Sequence, residues 1–246
     1  MSKIAIIGSR GLERPDYLTN VKKLSVTTPF GDPNPVMYSG MIGDIEVIHL
    51  SRRGLDDSIP SSRINFKANL YALKQQQCTH ILAATICRSL QEEICPGEII
   101  ILDQFIDMTT QRLSGIFEEI NGVAVYQPME EPFSCELRDH LVEAAIVQGI
   151  TVHTKGTVLS IEGPRFSSRA ESNLYRHWDA DVINMVTAPE VILASELGIA
   201  YASLAICTSY DSWRVNEDTV VMEDHVMREY HDKVLEMIKY AVKKIE

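Results

Sequence analysis

The stretch Gly156–Ser172 reads Gly-Thr-Val-Leu-Ser-Ile-Glu-Gly-Pro-Arg-Phe-Ser-Ser-Arg-Ala-Glu-Ser. Its apolar residues up to Ile161 predict a buried strand, which the Gly163-Pro164 pair must interrupt. Ser168 stands three residues before Glu171, the spacing of a capping box at the start of a helix. A strand that turns into a helix in this way places polar residues at one sheet end, where α/β proteins bind ligands. An ordinary connector with a helix cap explains the same local pattern equally well.

The composition predicts a globular protein with a single domain over residues 1–246. The chain has 45% hydrophobic and 23% charged residues, and its formal net charge is −11. This charge argues against a nucleic-acid or acidic-membrane partner, because both are bound by basic surfaces. A small anionic ligand remains compatible with it, since a local cluster of arginines does not depend on the net charge.

The cysteines and the N-terminus indicate the compartment. Five cysteines are scattered along the chain without a C-x-x-C pair, so neither a zinc site nor any other metal site is predicted. The apolar run Ile4–Ile7 is too short for a signal peptide or a membrane span. We therefore expect a protein of the reducing cytoplasm.

Strands and helices alternate along the rest of the chain, which predicts an α/β fold with a mixed, mostly parallel twisted sheet flanked by helices. A helix capped by Ser61 or Ser62 is expected to run through Ala72, and the segment 105–133 is expected to be mostly irregular. The remaining predicted strands are Ile4–Ile7, Val36–Ser39, Ile45–Leu50, Thr79–Thr85, Ile99–Leu102, Asp181–Met185 and Ile199–Cys207, and the remaining helices are Phe133–Gly149, Pro189–Leu197 and 220 to the C-terminus.

Polar residues follow five of the predicted strands. Segments so far apart in sequence can meet only if the sheet brings its carboxyl ends together, so a cavity is expected there. The segments are Ser9-Arg10, Arg52-Arg53, Thr85–Ser89, Glu162–Ser168 and Ser209–Asp211.

Three of the segments carry a specific resemblance. Gln104–Asp107, Glu162–Ser172 and Asp181–Met185 resemble the purine nucleoside phosphorylases, and most of all their methylthioadenosine branch. The resemblance implies the single-domain, three-layer phosphorylase fold. It also implies cleavage of the N-glycosidic bond of a 5′-modified purine nucleoside by orthophosphate, without a metal or an organic cofactor. A homotrimer, or a hexamer of two trimers, is implied as well.

The resemblance assigns the site residue by residue. Phe166 would stack on the purine, Met185 would pack under the ribose, and Asp211 would accept a hydrogen bond from the adenine amino group. Tyr126 matches a position that contributes to a neighbouring subunit's site. The implied catalytic residues are Asp211 and Ser209, the phosphate-binding residues are Ser9, Arg10, Arg52, Arg53, Thr85, Ile86 and Val186, and the substrate-binding residues are Cys87, Arg88, Phe166, Ser167, Met185, Asp211 and Tyr126.

Several of these positions depart from the family pattern. Arg10 and Val186 replace phosphate-binding threonines, and Arg53 replaces a histidine. Arg88 stands where the family has a glycine beside the sugar. Ser209 replaces the aspartate assigned to N7 of the departing purine, and loss of a general acid typically costs about 10²–10⁴-fold in rate.

The departures leave alternatives to a phosphorylase open. One is a purine-binding protein without catalytic activity on the same fold. Another is an enzyme with a more anionic substrate, such as a nucleotide, enclosed by Arg10, Arg53 and Arg88. Equally, Arg10 or Arg88 could fill the phosphate cavity and pair with Asp56 or Asp57.

Overall fold

Among the described residues, eleven strands form one mixed sheet, and helices cover both of its faces. The computed structural model describes residues 3–8, 10–33, 36–112, 115–117, 119–120, 123–124, 126–214 and 224–245. The strands are β1 (Ile4–Gly8), β2 (Thr19–Leu24), β3 (Met37–Ile42), β4 (Ile45–Ser51), β5 (His80–Ser89), β6 (Ile99–Ile101), β7 (Gln104–Met108), β8 (Glu119–Ile120), β9 (Val123–Ala124), β10 (Val152–His153), β11 (Thr157–Ile161), β12 (Val182–Asn184) and β13 (Ala200–Tyr210). The helices are α1 (Phe66–Gln75), α2 (Cys135–Gln148), α3 (Arg169–His177), α4 (Thr187–Glu196) and α5 (Asp224–Val242).

Four parallel strands form the centre of the sheet in the order β13-β5-β1-β4. Because they run the same way, their carboxyl ends meet at one edge of the sheet. The short strand β12 pairs antiparallel with the end of β5, so that Ile183 lies opposite Arg88. In turn, β11 pairs parallel with β12. Because β12 runs back along β5 from Ser89, the residues that follow β12 lie beside the part of β5 that precedes Arg88.

A register shift occurs where β13 reaches this edge. Its pairing with β5 is regular from Ala200 opposite His80 to Cys207 opposite Cys87, and it resumes with Ser209 opposite Arg88. One strand thus has an extra residue, Thr208, at the shift. Irregularities of this kind re-aim the side chains that follow them and are frequent beside functional sites.

Apolar side chains on the two faces of the sheet form separate cores. On one face, residues of α1 and α4 such as Leu70 and Val191 pack in a single cluster with β5. On the other face, Leu141 of α2 and Ile238 of α5 pack with β13. In the described part of the chain, no helix is both long enough and apolar enough to cross a bilayer.

Most of the predicted elements are present. The Gly156–Ser172 stretch forms β11, a turn and α3, and the Ser168–Glu171 capping box has both of its hydrogen bonds. Gly149, in the left-handed conformation with φ +67°, ends α2 as predicted. Residues 220–223 of the last predicted helix lie outside the described residues.

One local prediction was wrong, and one strand was not predicted. The cap of α1 is Asn65, whose side-chain oxygen accepts from Ala68 N at 3.1 Å, while Ser61–Arg63 forms a short 3-10 turn. Asn65 is better placed because its side-chain amide also donates to Phe30 O at 2.8 Å. The segment 105–133 was expected to be mostly irregular, and within it residues 105–108 of β7 pair parallel with β11. This partner, distant in sequence, stabilises a strand that lacks clear periodicity.

Candidate active site

A cavity of about 380 Å³ lies at the shared edge of the central strands. It is flanked by the segments that follow β1, β4, β5, β11, β12 and β13. A wider depression of about 740 Å³ lies elsewhere, between α5 and the strands β6 and β10, and includes none of the predicted site residues. The first cavity brings together the predicted residues Arg10, Arg53, Thr85, Ile86, Cys87, Arg88, Phe166, Met185, Val186, Ser209 and Asp211.

One end of the cavity, here called the anion end, carries Arg10 and Arg53. Nη1 of Arg53 lies 3.2 Å from Oδ2 of Asp57, and its Nε donates to Ile59 O at 2.7 Å. The second oxygen of Asp57 is buried and has no hydrogen-bond partner among the described residues. Burial raises the pKa of this carboxyl above its usual range, although Arg53 and Arg10 attract its charge. The anion end therefore contains its own counterion.

Arg52 does not belong to the anion end, contrary to the prediction for its side chain. The residue is fully buried, and its guanidinium is bound by Glu190 of α4, with Nη2 at 2.9 Å from Oε2. Nη1 donates to Ala84 O at 2.9 Å, and Tyr201 donates to the same carboxylate at 2.8 Å. A buried charge is tolerated when it is paired and hydrogen-bonded in this way. The ion pair fixes β4 against α4 and β13 beneath the cavity.

The middle of the cavity is supported by Asn184 at the end of β12. Its side-chain oxygen accepts from Ser160 Oγ at 3.0 Å and from the backbone of Val186 at 3.3 Å. Its amide donates to Thr187 Oγ1 at 2.6 Å and approaches Thr85 Oγ1 at 3.5 Å. The buried side chain thus fixes the segment that carries Met185 and Val186. Sequence reasoning missed it, although an Asn between a buried strand and a helix is a recognisable signal.

Met185 is held from a second side by Arg112, which sequence reasoning also missed. The Arg112 guanidinium donates to the backbone oxygen of Met185, and its Nε donates to Glu162 Oε1 at 3.0 Å. Burial opposes the ionisation of Glu162, but hydrogen bonds from Arg112 and two backbone amides outweigh it and lower its pKa. Ser61 Oγ contacts the Met185 sulfur at 3.2 Å. The thioether is therefore positioned at the cavity wall.

The other end of the cavity, here called the aromatic end, is formed by Phe166, Arg88, Ser209 and Asp211. The Phe166 ring is 61% exposed, and Cζ of Arg88 lies 4.5 Å from its centroid. Arg88 Nε donates to Ser209 Oγ at 3.0 Å, and Arg88 Nη1 lies 3.5 Å from Asp211 Oδ1. The Asp211 side chain is 1% exposed, and neither of its oxygens accepts a hydrogen bond in the described part of the chain. This buried carboxylate is thus faced by the Arg88 guanidinium while its acceptor positions carry no hydrogen bond.

Three predicted residues do not line the cavity, and one cannot be placed. Ser167 is buried, and its hydroxyl has no hydrogen-bond partner among the described residues. Tyr126 is 88% exposed on the surface. Arg52 lies beneath the cavity, as described above, and Ser9 lies outside the described residues. Within the described ranges, no group of His, Cys, Asp and Glu is arranged to hold a metal ion.

His231 of α5 packs behind the anion end and was also missed. A side chain at Gly11 would collide with its ring, and both ring nitrogens are buried without hydrogen-bond partners in the described structure. Burial lowers the pKa of His231 to about 4, and the nearby Arg10 acts in the same direction. The ring is therefore neutral at physiological pH.

Known proteins resemble this chain over almost its whole length. A sequence model of the Phosphorylase superfamily matches residues 3–243. The S-methyl-5'-thioadenosine phosphorylase of Danio rerio is 43% identical, over 99% of this chain and 89% of that protein. The Anopheles gambiae protein of the same name is 44% identical, with the same coverage of both chains.

Solved structures agree with the sequence comparisons. Methylthioadenosine phosphorylase from Schistosoma mansoni in complex with tubercidin superposes with a TM-score of 0.91 and 36% identity, over 99% of this chain and 92% of that one. The same enzyme in its apo form gives a TM-score of 0.90 and 35% identity, over 99% and 91% of the two chains. Since the family model, the sequence and the fold all match over these lengths, the chain belongs to the phosphorylase superfamily.

Proposed function

We propose that the chain is a purine nucleoside phosphorylase of the methylthioadenosine type. It cleaves the N-glycosidic bond of a 5′-modified purine nucleoside with orthophosphate, which yields the free base and a 5-modified ribose 1-phosphate. The observation that carries the proposal is the shape of one cavity with two unlike ends. Arg10 and Arg53 lie at the anion end, whereas at the other end Arg88 lies between an exposed aromatic ring and a buried carboxylate that accepts no hydrogen bond among the described residues. The phosphorylase relatives support the same reaction.

The two ends divide the chemistry between them. Phosphate is held at the anion end by Arg10 and Arg53 with the Thr85 hydroxyl, so that its oxygen attacks C1′ as positive charge develops there. Met185 packs under the ribose and aligns it for attack. At the aromatic end, Phe166 stacks on the base and Asp211 lies at its edge.

Departure of the base is the step for which this chain lacks the expected acid. The hydroxyl of Ser209 is a poor proton donor near neutral pH, so the base must leave with less help than a carboxylic acid gives. Arg88, hydrogen-bonded to Ser209 at 3.0 Å, contributes a fixed positive charge at this end. A fixed cation lowers the energy of a leaving anion without transferring a proton.

Further parts of the proposal concern assembly, location and cofactors. A homotrimer or hexamer is supported by the strong exposure of Tyr126, an aromatic side chain suited to an interface. A reducing cytoplasm is supported by the five cysteines, which are all free. The reaction as proposed needs phosphate as co-substrate and no cofactor. Light scattering on the purified protein would give the subunit number directly.

The test is release of base from methylthioadenosine, methylthioinosine, adenosine and inosine, with and without phosphate. Phosphate-dependent release from the methylthio nucleosides is expected, with sugar 1-phosphate formed in equal amount. If none of the four releases a base, the proposal is wrong.

The non-catalytic alternative has less support, since the relatives are phosphorylases over 99% of this chain. A more anionic substrate has one supporting observation, the three arginines at a single cavity. A thermal-shift comparison of nucleoside monophosphates with nucleosides would reveal it, because a ligand stabilises the state that binds it.

A further inference from the structure

Arg88 occupies the part of the cavity where the base is expected. Its guanidinium lies 4.5 Å from the centroid of the Phe166 ring and 3.5 Å from the Asp211 carboxylate. Its Nε donates to Ser209 at 3.0 Å. Two paired strands fix these contacts, because Arg88 of β5 lies opposite Ser209 of β13. A ligand at the aromatic end therefore meets an arginine that is already positioned.

The hydrogen-bonding character of this end follows from Arg88. A guanidinium has five N–H donors and no acceptor. The Nε of Arg88 donates to Ser209, and its Nη1 faces Asp211. Its Nη2 makes no hydrogen bond or ion pair among the described residues. The aromatic end therefore presents donors to a ligand, and its carboxylate is already faced by a cation.

The two classes of purine differ at the edge that such a site would bind. A 6-oxopurine presents O6 and N7, both acceptors, which a guanidinium contacts with two parallel hydrogen bonds. A 6-aminopurine presents a donor at position 6 and an acceptor at N7, so its amino group opposes the N–H groups of arginine. To place that amino group on Asp211, a 6-aminopurine must first displace Arg88.

We propose that Arg88 is a specificity-determining residue that makes this site prefer 6-oxopurines to 6-aminopurines. The proposal rests on the proposed function, and it names the class of base on which that function acts. Asp211 then serves as a positioning residue that holds the guanidinium at the base edge. When the bond to C1′ breaks, its electron pair goes to the base, and the charge on N7 and O6 is stabilised by Arg88. No proton moves to or from the arginine.

The test measures dissociation constants of hypoxanthine and adenine by calorimetry, with inorganic phosphate present. The wild type is expected to bind hypoxanthine roughly 10- to 100-fold more tightly, as for other arginine contacts to the edge of a 6-oxopurine. Arg88→Ala and Arg88→Gln should both abolish the preference or invert it in favour of adenine. Thermal unfolding of each variant verifies that it is folded.

Arg176→Ala is the matched control. Arg176 also stacks on an aromatic ring, with Cζ 3.7 Å from the Trp213 centroid, and also pairs with a carboxylate, Glu92, at 3.8 Å. It does not line the cavity, so the hypoxanthine-to-adenine ratio should stay at the wild-type value.

Three results would overturn the proposal. If the wild type does not discriminate against adenine, the proposal is contradicted directly, whatever the variants do. If the wild-type preference for hypoxanthine persists in both Arg88 variants, another group determines it. If neither base binds to any of the proteins, the proposed function itself fails, and this outcome is distinct from binding without the expected preference.

Discussion

The two ends of the cavity both pair an arginine with an aspartate, but they do so in different ways. Arg53 and Asp57 lie four residues apart in one loop, with side chains 28% and 23% exposed. Arg88 and Asp211 come from the ends of two strands, and their side chains are 16% and 1% exposed. The loop pair can rearrange when an anion arrives, because it is local and partly solvated. The strand pair presents a fixed pattern to a ligand.

This difference predicts which substitutions matter most. Changes at the aromatic end should affect ligand recognition strongly, since Asp211 is buried and Arg88 is pre-positioned by Ser209 and Asp211. Changes at the anion end should be milder, because water and neighbouring charges screen a half-exposed pair.

Asp211→Asn should have the largest effect. It removes the charge that faces Arg88 and leaves this partly buried cation without its paired carboxylate. Loss of one partner of such a pair costs about 2–5 kcal/mol. We therefore expect kcat/KM for the preferred nucleoside to fall about 30-fold or more. Glu92→Gln, at an exposed arginine pair outside the cavity, should leave kcat/KM unchanged. A comparable loss in both variants would contradict the special position of Asp211.

Phe166→Ala should have the second-largest effect. A stacked base loses about 1–3 kcal/mol when its aromatic partner is removed, which raises KM for the nucleoside roughly 10- to 100-fold. The ring is 61% exposed, so the unfolding midpoint should hardly move. Phe117→Ala is the control, since this ring is 40% exposed and does not line the cavity. An unchanged KM in Phe166→Ala would exclude stacking at this ring.

His231, which packs behind the anion end, should make the free energy of unfolding depend on pH. Its pKa is lowered from 6.5 to about 4 by burial, so the unfolded chain binds a proton that the folded chain does not. Its contribution is fully present above pH 6.5 and is lost as the pH falls towards 4. Between pH 7.5 and 4.5, the free energy of unfolding measured in urea should fall by about 2 kcal/mol less for His231→Phe than for the wild type.

His177→Phe is the control for that experiment, because His177 is exposed at the end of α3. It should retain the full pH dependence of the wild type. Identical pH dependence of the wild type and His231→Phe would show that the buried ring does not titrate as expected.

Asp57→Asn should have the smallest effect, and it should be a gain. The carboxylate competes with phosphate for Arg53 and Arg10, so its neutralisation should lower KM for phosphate about 3- to 5-fold. Burial raises the pKa of Asp57 above its usual 3.8, and protonation of the wild type removes the same competition. The advantage of the variant should therefore shrink as the pH falls through that raised pKa. Asp56→Asn, at the exposed neighbour, should not change KM, and a higher KM in Asp57→Asn would contradict the competition.

The sequence predicts the fold better than it predicts side-chain partners. Continuous apolar runs and capping signals are local, so β1, β11 and the cap at Ser168 follow from a few neighbouring residues. β7 could not be recognised in this way, because its ladder with β11 joins residues about fifty positions apart. The edge strand β2 is almost wholly exposed and carries no apolar pattern at all.

The site shows the same limit. The cavity was expected because polar residues follow several strands, and most of those residues do line it. The positions of the arginines were not predictable, since Arg52 and Arg88 have partners that are distant in sequence while Arg53 has one in its own loop. Arg52 points to Glu190, 138 positions away, whereas its neighbour Arg53 points to Asp57. No local pattern distinguishes two adjacent arginines with such different surroundings. The single-domain boundary over 1–246 stays a prediction.

The register shift at Thr208 has a consequence for how this strand can change over evolution. Before the shift, β13 is an almost continuously buried core strand, and after it the chain carries Ser209 and Asp211 into the cavity. Because the extra residue separates the two parts, substitutions after it need not disturb the alignment of the sheet. The buried part of β13 can therefore stay the same while the cavity residues at its carboxyl end are substituted. An arginine at position 88 opposite a serine at position 209 is the kind of novelty that such a junction permits.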